Sequence, residues 1–89
     1  VTLDPQHRRD LLDTVHAAQL VAGVLSARHR GSPDDAATLM AQATPHQLAG
    51  GAMLLAELSL ALYARESGQD LQSCITALCL DLESAVAIS

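Results

Sequence analysis

The chain contains no Lys, no Asn, no Phe and no Trp, and its single aromatic residue is Tyr63. Strands draw on aromatic and β-branched side chains, whereas the Leu and Ala that dominate here are strong helix formers. The absence of aromatics therefore argues against a β-rich fold and points to an all-α one. Every cation is an Arg, and five of them face ten carboxylates for a formal net charge of −5. Phosphate backbones require a clustered positive field, and single strands require aromatic platforms as well. Nucleic acid is accordingly not expected as a partner. Two cysteines, Cys74 and Cys79, provide no disulfide framework. Lys, Asn and Phe share AT-rich codons, so their joint absence suggests a high-GC bacterial genome.

Hydrophobic residues make up 49% of the 89 positions, and the mean hydropathy is +0.22. That length is expected to form one domain spanning residues 1–89. A chain so short buries only roughly 60–65% of its unfolded surface, and oligomerisation is a usual source of additional stability. The first ten residues, VTLDPQHRRD, are charged and no apolar run follows them. No secretory signal is expected, and the expected location is cytoplasmic.

Helix punctuation divides the chain. In Asp4–Pro5 an N-cap residue precedes Pro at the first helical position, where a missing N–H costs nothing. Ser32–Pro33 repeats the device, with Asp34 and Asp35 adding negative charge to the first turn. Thr44–Pro45 repeats it again, with Gln47 at the capping-box position. Gly31 and Gly68 are the expected stops, and a fourth helix starts near Asp70. The expected fold is a compact four-helix bundle-like domain, with helices at about 5–29, 33–43, 45–67 and 70–87. The second helix is short and the third central.

At ~100° per residue, Leu71, Ile75, Leu78, Leu82 and Ala85 form one stripe on the fourth helix, flanked by Cys74 and Cys79. The first helix carries a core stripe of Leu11, Val15, Ala18, Ala22 and Leu25. It also carries a second apolar set, Ala17, Leu20, Val21 and Val24. A surface helix of a monomer needs only one stripe, so the second set is assigned to a partner.

The third helix, LAGGAMLLAELSLALYARESG from Leu48 to Gly68, is apolar nearly all round. A membrane span needs roughly 20 apolar residues and carries a positive flank on its cytoplasmic side. This stretch is interrupted by Glu57 and Ser59 and has no such flank. It is therefore expected to be a core helix rather than a membrane segment. Gly50 and Gly51, each costing about 0.5–1 kcal/mol against Ala in a helix, have a motive if a neighbouring helix comes close.

Motifs that carry chemistry are missing. His7, His16, His29 and His46 include no pair at i, i+3 or i, i+4. Cys74 and Cys79 lie about 140° apart by helical spacing and are expected to act as small hydrophobes. Glu57 is expected to be a solvated position or the partner of an Arg. No metal and no cofactor is expected, and neither is catalysis.

The functional expectation is a non-catalytic protein-interaction module that presents an apolar helical surface, as a homodimer or to another protein. Its surface would comprise Ala17, Leu20, Val21 and Val24 together with Met53, Glu57 and Leu60. Leu20→Glu and Val24→Glu would abolish association without unfolding the chain. The alternative is a small accessory subunit of an enzyme complex, or a binder of an apolar small molecule between helices. A transcriptional regulator or antitoxin ranks below these.

Overall fold

The computed structural model describes residues 4–88, with side chains through Val86. It is all-α, with α1 at Pro5–His29, α2 at Pro33–Met40, α3 at Pro45–Ser67 and α4 at Leu71–Ile88. By packing, the chain forms two units, one running to Ala56 and the other beginning at Glu57. The α3 helix contributes its first half to the first unit and its second half to the other.

Local chemistry sets the helix ends. The Asp4 carboxylate accepts from the His7 N–H at 2.8 Å and caps α1. Thr44 and Gln47 close a full capping box on α3. The Gln47 N–H donates to Thr44 Oγ1 at 3.1 Å, and the Thr44 N–H donates to Gln47 Oε1 at 2.9 Å. Asp70 caps α4 by accepting from the Ser73 N–H at 2.7 Å. At the other ends, Gly31 and Gly68 have φ of 73° and 71°, a left-handed conformation that glycine adopts without steric cost. Around Gly31 the Ser32 N–H reaches the Ala27 carbonyl and the Gly31 N–H reaches that of Arg28, the two bonds of a Schellman turn.

Two boundaries depart from expectation. Ser32 occupies the N-cap position of α2 but makes no side-chain capping bond. Its N–H already closes α1 and its carbonyl accepts from Ala36, so its backbone is committed to both helices at once. The α2 helix stops at Met40 instead of running to residue 43. Tighter i to i+3 bonds, Gln42 N–H to Leu39 and Ala43 N–H to Met40, turn the chain toward the Thr44 cap.

In the first unit, Val24, Ala27 and Ala36 form the core cluster where α1 meets α2, and half-buried Leu39 packs on it. The first half of α3 approaches α1 through Gly51. A Cβ placed there would lie 2.5–2.7 Å from backbone atoms of Ala17 and Ala18. In the second unit, α3 and α4 form a helical hairpin in which Ala64 and Cys74 are the buried apolar residues among those with described side chains.

These contacts overturn two expectations. On α1 the set assigned to a partner is the inner one: Ala17 and Val24 are buried, and Leu20 and Val21 are half-buried. Of the stripe assigned to the core, Leu11, Val15, Ala22 and Leu25 are exposed and Ala18 alone is buried. The small residues Ala17, Ala27, Ala36 and Gly51 decide this, because only a face of small side chains lets helix backbones come this close. The second correction concerns α3. It touches both α1 and α4 but is not enclosed, since only 6% of its apolar window is buried.

Candidate functional site

An interaction surface requires large apolar side chains that the fold leaves open, and each unit has such a set. In the first unit Leu11, Leu12, Val15, Leu25, Met40 and Met53 are exposed. In the second, Leu58, Leu62, Tyr63, Leu71, Leu80, Leu82 and Val86 are exposed, and Leu78 is also open although it borders α3. Among residues with described side chains, no Leu, Ile, Met or Tyr is buried. Full burial of one such side chain contributes about 1.5–3 kcal/mol, so neither unit gains much from its interior alone.

The structure sorts the predicted site residues into two groups. Met53, 62% exposed, and Glu57 lie open on α3, as an interaction surface requires. Ala17, Leu20, Val21 and Val24 serve the interior of the first unit, and Leu60 is half-buried beside α4. Val24→Glu would therefore place a carboxylate in the α1–α2 core and test folding, not association. Several open residues escaped the sequence reading, among them Leu58, Leu62, Leu82, Val86 and Cys79. The α4 stripe expected from the sequence contains Leu82, but periodicity alone does not say what covers it. Cys79, expected to act as a small hydrophobe, is exposed, while Cys74 is buried with its thiol 3.6 Å from Gln69 Oε1.

Why α4 keeps its stripe open follows from helical phase. The groove between α3 and α4, about 230 Å3, is lined by Leu60 and Tyr63 on one side and by Cys74, Ala77, Leu78 and Asp81 on the other. The α4 side that meets α3 is thus centred near Cys74, at 2% exposure. Leu71, Leu82 and Val86 project from a neighbouring sector that α3 does not reach.

A second groove, about 340 Å3, lies within the first unit, where Asp13, His16, Ala17 and Leu20 of α1 face Gln42, Ala43 and Gln47. Its lining is mixed polar and apolar, and no group of three or more His, Cys, Asp or Glu side chains gathers among the described residues. By length and composition alone α3 is apolar enough to cross a membrane, with a mean hydropathy of 1.3. No protein-family model matches the chain, nor does any curated protein or solved structure, so the open apolar faces of its two units are read from their own geometry.

Proposed function

We propose that the protein is a non-catalytic interaction module that works by self-association through open helical faces. The observation that carries this is the inversion between side-chain size and burial. Among residues with described side chains, the buried apolar ones are Ala, Val and Cys, while every Leu, Ile, Met and Tyr is half-buried or exposed. A standard interface takes about 800 Å2 from each partner, and a few well-packed apolar residues can form its centre. A second copy is always available at the concentration of the chain itself, which suits a module that needs covering as soon as it folds.

Chemistry weighs against the other coverings. Glu57, Glu66, Asp70, Asp81 and Glu83 face Arg65 alone in the second unit, five carboxylates against one guanidinium for a net −4. An anionic lipid surface or a phosphate backbone would repel it. Small-molecule sites typically occupy about 300–1,000 Å3 and are mostly apolar; the apolar groove of the second unit, at about 230 Å3, falls below that range, and the groove of about 340 Å3 in the first has a mixed polar and apolar lining.

Light scattering over a wide range of protein concentration tests the proposal. The expected result is a mass twice that of the 9.3 kDa chain, falling toward the monomer on dilution. A monomer at every concentration reached would overturn it.

A further inference from the structure

We infer that the seam of the dimer is α4 against α4 of a second copy, antiparallel, with the two-fold axis passing between Leu78 and Cys79. This rests on the self-association proposed above and specifies where and how it occurs.

Three observations converge on α4. The first is its open sector. At 100° per residue, Leu71, Ile75, Leu78, Leu82 and Val86 fall within an arc of roughly 80°. Leu71, Leu78, Leu82 and Val86 are exposed, Leu82 at 59% and Val86 at 77%, and Ile75 is half-buried. Within the second unit α3 leaves that arc uncovered, and pairing of two such hairpins would bring four helices together.

The second is register. The spacing from Leu71 through Ile75 and Leu78 to Leu82 alternates four and three, the seam pattern of paired helices. It also reads nearly the same in both directions. With the axis between Leu78 and Cys79, Leu71 meets Val86 of the second copy, Ile75 meets Leu82, and Leu78 meets Cys79. Such a self-complementary patch is what an isologous two-fold contact demands.

The third is charge. No Lys, Arg or His follows Arg65, so Asp70, Asp81 and Glu83 have no cation along α4. A parallel pair would set every one of these carboxylates level with its own copy. The antiparallel pair sets Asp81 level with Thr76 of the second copy, roughly 7.5 Å along the axis from the other Asp81. It also opposes the two helix dipoles.

Cross-linking of the full chain tests this directly, because Cys79 is exposed beside the axis and Cys74 is buried. A short bismaleimide is expected to give a covalent dimer that disappears in Cys79→Ser. In Cys79→Ser/Leu71→Cys the antiparallel seam places the two new thiols roughly 22 Å apart along the axis, and no dimer should be trapped. A covalent dimer from that double variant would establish a parallel seam and overturn the inference. In parallel, Leu82→Glu should weaken association at least tenfold by light scattering while retaining its helical circular dichroism. A wild-type chain that scatters as a monomer would remove the self-association reading itself. A wild-type dimer that neither cross-links through Cys79 nor responds to Leu82→Glu would keep that reading and reject the α4 seam.

Discussion

Gly50 and Gly51 are neighbours on α3 with opposite surroundings, and substitution separates them. A Cβ at Gly51 would meet backbone of Ala17 and Ala18, which cannot move aside as a side chain could, whereas a Cβ at Gly50 meets nothing within 4 Å. Gly51→Ala should cost about 1–3 kcal/mol by overpacking. Gly50→Ala should gain about 0.5–1 kcal/mol from helix propensity. Urea unfolding of the two variants beside the parent checks both signs. Asp70 supplies a pH-dependent counterpart. Hydrogen bonds from the Ser73 side chain, and then from its backbone N–H, hold the Asp70 carboxyl below its ordinary value. A carboxyl lowered in the folded state contributes stability above its unfolded pKa and loses it as pH falls through the folded one. Asp70→Asn should therefore flatten the acid limb of the stability profile, read as urea midpoints from neutral pH down through the carboxylate range.

The element scale is where the sequence was most legible. Caps and stops act through one or two side chains on adjacent backbone, so Asp4, Thr44 with Gln47, and Asp70 could be placed without any tertiary knowledge, as could Gly31 and Gly68. Ser32 shows the limit of such reasoning. Its residue type suits a cap, but the turn that ends α1 takes its backbone first. Thr44→Ala should cost about 1 kcal/mol, and Ser32→Ala, with no capping bond to lose, should stay within about 0.5 kcal/mol. Thermal unfolding at fixed protein concentration compares them. Faces were harder to read than ends. The α1 helix has two apolar sets of similar hydropathy, and periodicity cannot rank them. The ranking comes from how closely α2 and α3 approach, and therefore from the Ala and Gly residues that permit it. Gly51 was the available clue, because a helical glycine implies a close neighbour and the neighbour would have to be equally small. Leu82 is hard to place for the related reason that an amphipathic stripe shows which side avoids water but not which chain supplies the cover.

At the scale of the whole molecule, stability and association become one quantity if the proposed dimer forms. Binding that favours the folded chain raises its apparent stability with concentration, so Tm should climb as the protein is concentrated and Leu82→Glu should abolish that climb. Differential scanning calorimetry across a hundredfold range of concentration reads it. The near absence of aromatic residues has an optical consequence. Tyr63 is the sole Phe, Tyr or Trp in the chain, and it borders the groove facing Cys74, Ala77, Leu78 and Asp81 of α4. All of the intrinsic fluorescence thus originates in the hairpin, without any label. Emission followed on dilution reports on α3 and α4 and is silent on α1 and α2, whose state only far-ultraviolet dichroism records.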